Sequence, residues 1–245
     1  MSIAMKTTAR RELVRLTDVA GDSVSKRGLR AINADATASH TDYRTGRTAF
    51  VVADGVGDHL LAARAARTAA AIAARVGAHS GAAAGILAAQ QELLRQFPEP
   101  KADSALVIAV LPTTECANGP GDIAWVGDCR AYRWNGRTLH QITTDHTLAE
   151  YLRLRGLEPE PRTDHIITTT VRTVRPEQIG RANTGSSNGR MLLSTDGVHK
   201  LVDIVAVKDL LAADKSPRDT ADALADLALR TGSRDNTTAF VIDRR

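Results

Sequence analysis

The order of helix-like and strand-like stretches is the feature that most constrains the fold of this chain. Two Ala-, Leu- and Ile-rich stretches with helical character follow one another almost directly, at Leu60 to Val76 and Ala82 to Phe97. A second pair is predicted at Val207 to Ala213 and Pro217 to Thr231. A parallel doubly wound sheet needs a helix between successive strands, whereas here several strand-like runs stand between helix pairs. The sequence therefore predicts an antiparallel α+β sandwich.

Short apolar runs rich in β-branched residues predict the strands. They lie at Thr48 to Ala53, Ala105 to Leu111, Ile123 to Val126, Ala131 to Trp134, Ile166 to Arg172, Met191 to Ser194 and Thr237 to Ile242. The dipeptide Asn135-Gly136 is typical of a tight hairpin turn. Because there is no internal repeat and no long linker, we expect one domain over residues 1–245.

The charge balance is weakly basic, with a net charge of +4 and a pI near 9.3. The basic residues are scattered among acids, and aromatic residues make up only 3% of the chain, so no stacking platform accompanies a basic patch. This pattern indicates a solvated surface and no binding to nucleic acid.

The expected location is the cytoplasm. The first 16 residues carry arginines where a signal peptide needs an apolar run, and arginines also interrupt the stretch Leu60 to Val76, so neither segment is expected to enter a membrane. Cys116 and Cys129 lack the spacing of a metal site and are expected to be free thiols.

Aspartates at the ends of strand-like runs are the strongest chemical signal. Asp54 ends FVVADG, Asp128 ends AWVGD, and Asp196 ends LLSTDG. Taken singly, an Asp-Gly pair often only begins a turn. Together with Asp35 and Asp235, however, these residues make five carboxylates that would repel one another if they converge, unless cations lie between them. Oxygen ligands favour hard divalent cations, so Mg²⁺ or Mn²⁺ is predicted and zinc is not.

The motifs around these aspartates resemble those of the metal-dependent serine/threonine protein phosphatases of type 2C, in their compact bacterial form. Each motif is weak alone, but six occur in the family's order with compatible spacing over nearly the whole chain. They are RGLRAINAD (Arg27 to Asp35), VVADGVG (Val51 to Gly57), WVGDCRAYRW (Trp125 to Trp134), ITTDH (Ile142 to His146), LLSTDGVHKLV (Leu192 to Val202) and SRDNTTAFVI (Ser233 to Ile242).

The resemblance implies a four-layer α-β-β-α sandwich, in which two central antiparallel sheets are flanked by pairs of antiparallel helices. It also implies two metal ions, Mn²⁺ or Mg²⁺, in each site. Asp54 would bridge both ions and Gly55 would contribute its backbone carbonyl. Asp196 and Asp235 would hold one of these ions, and Asp35 would act on the other, partly through water.

Two further positions follow from the resemblance. Asp128 matches a position that helps bind a third, weaker metal together with the equivalent of Asp196. Arg30 matches the family's phosphate-binding arginine, although Arg27 or an ordinary surface arginine remain alternatives. The family also places a variable flap beside the cleft, here within about 147–188.

The implied function is hydrolysis of phosphoserine and phosphothreonine in proteins. Attack by a water that bridges the metals would make Asp54, Asp196 and Asp235 the catalytic residues. Phosphorylated proteins are the expected partners, together with a serine/threonine kinase or its targets.

The alternative function is a pseudophosphatase that binds phosphoproteins with little catalysis. Three departures from the family pattern lie close to the proposed site: Ala34 replaces a glutamate, Asp58 replaces a glycine, and Val56 stands where some relatives have a histidine.

Overall fold

The computed structural model describes residues 19–113, 116 and 119–244. The expectation for the first 16 residues lies outside this range. The helices are α1 (Leu60–Ser80), α2 (Ala82–Gln96), α3 (Leu148–Arg153), α4 (Asp196–His199), α5 (Ile204–Ala212) and α6 (Pro217–Arg230), with 3₁₀ turns at Pro161–His165 and Pro176–Gln178. The strands are β1 (Val19–Lys26), β2 (Ala36–Thr41), β3 (Thr48–Gly55), β4 (Ser104–Leu111), β5 (Asp122–Val126), β6 (Arg130–Trp134), β7 (Leu139–Gln141), β8 (Gly180–Asn183), β9 (Gly189–Ser194) and β10 (Thr237–Arg244).

The described strands form two antiparallel sheets of five strands each. One sheet has the order β1-β10-β9-β6-β7 and the other has the order β2-β3-β4-β5-β8. Every pairing is antiparallel, because helices lie on the outer faces and not between strands. The predicted α+β sandwich is therefore confirmed.

Three apolar layers separate four layers of backbone. One layer packs α1 and α2 against the sheet containing β3, through residues such as Ala73, Ile86 and Ile108. A central layer joins the two sheets, where the rings of Phe50 and Phe240 meet edge to face with centroids 5.4 Å apart. The third layer packs α5 and α6 against the other sheet. The α-β-β-α order of the prediction is thus confirmed.

Position within a sheet decides which strands the sequence reveals. The inner strand β4 is buried at all of its positions, and β3 is buried at all but one, because each sheet is covered on both faces. Such strands read as continuous apolar runs. The four strands that sequence patterns miss are β1, β2, β7 and β8, which are the outermost strands of the two sheets. Their partly exposed, polar residues lack an apolar signal.

One predicted strand is wrong. Ile166 to Arg172 forms no strand, and only an isolated bridge joins Thr147 to Ile167. The segment bends toward Asp103 instead, whose Oδ1 accepts a hydrogen bond from the Arg172 backbone N–H at 3.0 Å. The predicted helix at Val207 to Ala213 in fact begins three residues earlier, at Ile204, because the Asp203 side chain caps it through the Val205 N–H.

Other local predictions agree with the structure. Asn135 and Gly136 connect β6 to β7 as a hairpin, in which the Asn135 N–H donates to the Thr138 carbonyl at 3.3 Å. Cys116 and Cys129 are both free thiols. Over the described residues, no helix has the length and apolar character that crossing a bilayer requires.

The contact between α1 and α2 generates a prediction about stability. A Cβ added at Gly85, in the first turn of α2, would lie 2.6 Å from the backbone oxygen of Ala73 on α1. Either the two helices or this first turn of α2 would therefore have to shift. Gly85→Ala should lower the free energy of unfolding by about 1–3 kcal/mol, although an exposed helical glycine would gain up to about 1 kcal/mol from the same change. Urea denaturation measures the difference.

Gly185→Ala is the control for this prediction, because an added Cβ at this exposed loop position meets no atom of the described residues within 4 Å. Its midpoint should stay close to that of the unsubstituted protein. A stabilised Gly85→Ala protein would show that the helices are less tightly packed than described.

Candidate active site

One polar cavity of about 190 Å³ lies where strands from both sheets end. Five aspartates line it. Asp58 bonds to the backbone of the loop beside the cavity, and we call the other four the carboxylate cluster: Asp54, Asp128, Asp196 and Asp235. They come from the end of β3, the turn after β5, the segment after β9 and the segment before β10. The remaining lining residues are Arg30, Gly55, Val56, Gly57, Asp58, His165, Ile167 and Asn236.

Asp54 and Gly55 are held by the last residues of β3. Ser104 on β4 donates its Oγ–H to the Asp54 carbonyl at 2.8 Å, so the backbone of Asp54 is fixed to a neighbouring strand. A Cβ at Gly55 would lie 2.6 Å from the Ala62 carbonyl and 2.9 Å from the Ala34 carbonyl. Only glycine therefore fits between the first turn of α1 and the segment that leads into β2.

Asp196 and Asp235 approach each other because their loops are in direct contact. Asp196 begins the short helix α4, where a side chain at Gly197 would collide with the Asn236 carbonyl. The glycine thus lets the segment after β9 pack against the segment before β10. This contact brings two carboxylates that are 39 residues apart to the same cavity.

Asn236 and Asp58 position the loop that carries Arg30. The Asn236 amide donates to the carbonyls of Arg27 and Ile32 at 2.8 and 3.0 Å, and its Oδ1 accepts from the Ala34 N–H at 2.8 Å. Asp58 accepts from the backbone N–H groups of Ala31 and Ile32. These bonds lower the pKa of Asp58. Residues 27–34 are therefore tied to β10 on one side and to the start of α1 on the other.

Arg30 is bound to one member of the carboxylate cluster. Its Nη2 lies 2.7 Å from Oδ2 of Asp235, and both side chains are partly exposed at the cavity. The hydrogen bond to Asp235 raises the pKa of the Arg30 guanidinium. The guanidinium is thus at the cavity, where the phosphate-binding arginine was predicted. Arg27, the alternative, does not line the cavity and donates to the Ala31 carbonyl.

A second cation, Lys200, joins two other members of the cluster. Its Nζ lies 2.9 Å from Oδ2 of Asp128 and 2.8 Å from Oδ2 of Asp196. Burial acts to lower the pKa of Lys200, but the two carboxylates outweigh it and raise that pKa. Sequence reasoning gave this lysine no role. Its signal was the spacing of four residues from Asp196, which places both side chains on one face of a helical turn.

Asp35 is the one predicted ligand that does not line the cavity. Its Oδ2 accepts hydrogen bonds from Thr195 Oγ1 at 3.0 Å and Thr238 Oγ1 at 2.6 Å. Its Oδ1 is buried and finds no hydrogen-bond partner within the described ranges. The side chain therefore lies behind the cluster, close enough for Asp196 and Asp235 to affect its ionisation.

Burial and neighbouring negative charges raise the pKa values of Asp35, Asp54 and Asp128. Burial, followed by the charges of Asp35 and Asp196, raises the pKa of Asp54 well above its ordinary value. Burial and Asp196 likewise raise the pKa of Asp128, although Lys200 counteracts them. Burial also raises the pKa of Asp35 to about 7. Without added positive charge, the site therefore favours protonated carboxyls.

Two histidines, His59 and His146, make structural contacts. His59 caps α1, because its Nδ1 accepts from the Ala62 N–H at 3.1 Å. His146 stacks obliquely on Trp125, with ring centroids 6.2 Å apart, and burial lowers its pKa. His146 does not cap α3, where the side chain of Thr147 does so. Val56, which stands at the position of a histidine in some relatives, is at the rim and 39% exposed.

The donor atoms of the site fit a hard divalent cation. All four cluster members offer carboxylate oxygens, and Asp35 keeps one buried oxygen without a partner within the described ranges. As they stand, no three acidic, histidine or cysteine side chains of the described residues are gathered tightly enough to enclose an ion. Arg30 and Lys200 form ion pairs with three of the cluster members, so two positive charges offset part of the negative charge. The chemistry of the donors therefore fits a metal.

Comparisons with known proteins agree with this fold. No protein-family model matches the chain. Protein phosphatase PhpP of Streptococcus pneumoniae serotype 2 is 25% identical over 246 residues, which cover 94% of this chain and 96% of that protein. The crystal structure of serine/threonine phosphatase Stp1 from Staphylococcus aureus has a TM-score of 0.79 at 24% identity, covering 93% of this chain and 95% of Stp1. The catalytic domain of the phosphatase PstP, crystallised with 2 manganese ions, has a TM-score of 0.74 at 23% identity. The match covers 92% of this chain and 97% of the PstP chain.

The ionisation of Asp35 generates a prediction about pH. In the metal-free protein this carboxyl keeps its proton up to about pH 7, whereas in the unfolded chain it ionises near pH ~4. Between these values the folded state binds more protons than the unfolded chain does. The stability that the protonated Asp35 contributes is therefore fully present below pH ~4 and is lost as the pH rises through about 7. The free energy of unfolding in chelator should fall over this range by on the order of 3 kcal/mol.

Urea denaturation at several pH values measures this slope. Asp35→Asn should reduce this slope, because the amide oxygen still accepts from the two threonines but the side chain no longer titrates. The raised pKa values of Asp54 and Asp128 should preserve the remainder. Mn²⁺ should restore stability most strongly at the higher pH, where the carboxyls ionise. An unchanged slope in Asp35→Asn would assign the titration to other groups.

Proposed function

Because the chain belongs to the metal-dependent serine/threonine phosphatases of type 2C, in their compact bacterial form, we propose that it hydrolyses phosphoserine and phosphothreonine in proteins. The observation that supports this most directly is the carboxylate cluster, with Arg30 at the same cavity. Four acidic side chains at one cavity require positive charge, and a phosphate ester together with divalent cations supplies matching partners.

In this proposal Asp54, Asp196 and Asp235 would hold Mn²⁺ or Mg²⁺ through their carboxylate oxygens. The Gly55 carbonyl would contribute beside Asp54, and Asp35 would act from behind the cavity. When bound, the two ions supply a water of lowered pKa as the nucleophile and neutralise the phosphoryl oxygens. The rigid strand ends and the close contact at Gly55 support this assignment, because they fix the donors before substrate arrives.

Arg30 is the proposed phosphate clamp. Its planar guanidinium suits two phosphate oxygens, and the bonds of Asn236 and Asp58 hold its loop at the rim of the cavity. The ion pair with Asp235 has a consequence for this role. If Asp235 were engaged by a cation, the guanidinium of Arg30 would be released from that carboxylate and could bind phosphate.

Proton delivery to the leaving oxygen is assigned to water. Val56 carries no proton, and His59 uses Nδ1 to cap α1, so neither is proposed as the general acid. Residues 147–188 are proposed as the flap, because His165 and Ile167 from this range line the cavity. Binding of phosphoproteins without hydrolysis is disfavoured, since no cluster carboxylate is replaced.

The wider setting follows from the same family. We propose that the protein acts in the cytoplasm, in signalling that opposes a serine/threonine kinase, and that phosphorylated proteins are its partners. Free thiols at Cys116 and Cys129 are consistent with a reducing compartment.

Loss of the bridging carboxylate is the first test. Asp54→Asn should lower kcat/KM for a phosphothreonine peptide at least about 1000-fold in Mn²⁺, because the metal clamp contributes several kcal/mol to the transition state. Asp196→Asn should have a similar effect, whereas the exposed control Asp209→Asn should retain full activity. Phosphate release is measured with and without chelator. Mn²⁺ binding without turnover by the unsubstituted protein would favour the pseudophosphatase alternative.

A second test concerns the phosphate clamp. Arg30→Ala should raise KM about tenfold with a smaller change in kcat, since a charge-assisted pair of bonds to phosphate is lost. Its affinity for Mn²⁺ should rise or stay constant, because the guanidinium no longer competes for Asp235. Arg27→Ala is the matched control and should leave KM unchanged. If Arg27→Ala raises KM and Arg30→Ala does not, the phosphate-binding arginine is Arg27.

A further inference from the structure

Lys200 does not line the cavity itself, but its ammonium is bonded to two of the carboxylates that do. Its Nζ donates to Oδ2 of Asp128 at 2.9 Å, to Oδ2 of Asp196 at 2.8 Å and to the backbone carbonyl of Asp164 at 3.2 Å. An ammonium group has three donors, so all of them are used. The side chain is only 16% exposed, in contrast to the 41% of Arg30. Lys200 therefore has a fixed place in the site, and is not a surface residue that happens to approach an acid.

We propose that the ammonium of Lys200 is a built-in cation that joins Asp128 to Asp196 and prevents a metal ion from binding between these two carboxylates. The proposal rests on the metal-dependent function proposed above, because it concerns which carboxylates remain free for metal. It assigns Asp128 to binding Lys200 and leaves metal binding to the other cluster members and Asp35.

The charge distribution supports this division. The side chain of Asp128 is 3% exposed, so its charge needs a close partner that does not diffuse away. The ammonium meets this need at 2.9 Å. A divalent ion placed between Asp128 and Asp196 would have to share their oxygens with a positive charge, and the repulsion between the cations would be strong in a partly buried cavity.

The covalent attachment of this cation has a mechanical effect that an exchangeable ion lacks. Lys200 follows α4 directly, and its third bond reaches Asp164 in the 3₁₀ turn Pro161–His165. The same turn contributes His165 to the lining of the cavity. Lys200 thus connects two carboxylates to the segment beside the cavity, and chelators cannot remove the connection.

The number of bound Mn²⁺ ions tests the proposal. Electron paramagnetic resonance counts free Mn²⁺ during a titration of the full chain, independently of phosphate release. Lys200→Met keeps most of the side-chain length but removes the charge, and it should bind one ion more than the unsubstituted protein. Adding Asp128→Asn to this variant should remove the extra ion, because one of the two carboxylates is then neutral.

Three further variants make the count interpretable. Lys200→Arg retains a cation and should bind the same number of ions as the unsubstituted protein. Lys208→Met removes an exposed positive charge elsewhere and should also leave the number unchanged. Lys200→Gln repeats the neutral substitution with a polar side chain, so that the count does not depend on the folding of a single variant. Circular dichroism in chelator verifies that each variant is folded.

The outcomes separate this proposal from the proposed function. Equal numbers of ions in the unsubstituted protein, Lys200→Met and Lys200→Gln would overturn the role of Lys200, even if phosphate is released normally. An extra ion in the neutral variants, together with an unsubstituted protein that binds Mn²⁺ but releases no phosphate, would support the role of Lys200 and overturn the catalytic function. Absence of Mn²⁺ binding in all variants would overturn both.

Discussion

The repulsion between buried carboxylates is the constraint on which the rest of this structure depends. The carboxylate cluster and Asp35 meet at or directly behind one cavity, where burial and neighbouring charges disfavour the charged forms of Asp35, Asp54 and Asp128. Without opposing forces, such groups would move apart or bind protons. The fold keeps them in place because each lies at or near the end of a buried strand. Positive charge from Arg30 and Lys200 offsets part of the repulsion.

The rigidity of the scaffold comes from burial of both sheets on both faces. Strands β3 and β4 lie at the centre of one sheet, and their apolar side chains pack against helices on one side and against the second sheet on the other. A displacement of Asp54 would therefore disturb two apolar layers at once. Closely packed interiors resist such shifts, so the backbone keeps its position despite the repulsion between the carboxylates. The same packing explains why glycine is required at position 55.

Sequence patterns predicted the centre of the fold and most of the site, because both leave strong local signals. Inner strands are continuous apolar runs, and Asp54, Asp128 and Asp196 directly follow or end such runs. The outer strands β1, β2, β7 and β8 were missed because each has only one neighbouring strand and keeps polar, partly exposed residues. The segment 166–172 was predicted as a strand from its β-branched residues, yet its backbone makes single hydrogen bonds, such as those to the Asp103 side chain and the Ser104 carbonyl, and no ladder with a described strand. The placement of Asp35 behind the cavity and the bridging position of Lys200 depend on contacts between distant segments, which local patterns do not contain.

The position of β10 within its sheet has a consequence for how the protein is made. This strand lies between β1 and β9, so the sheet cannot close until residues 237–244 have left the ribosome. Asp235 and the Asn236 amide that fixes the loop of Arg30 arrive with the same segment. A nascent chain can therefore complete the helical layer over β3 and β4 while its second sheet is still open. The order of synthesis therefore delays assembly of the cavity. A growing chain lacks the complete site until β10 is inserted between β1 and β9.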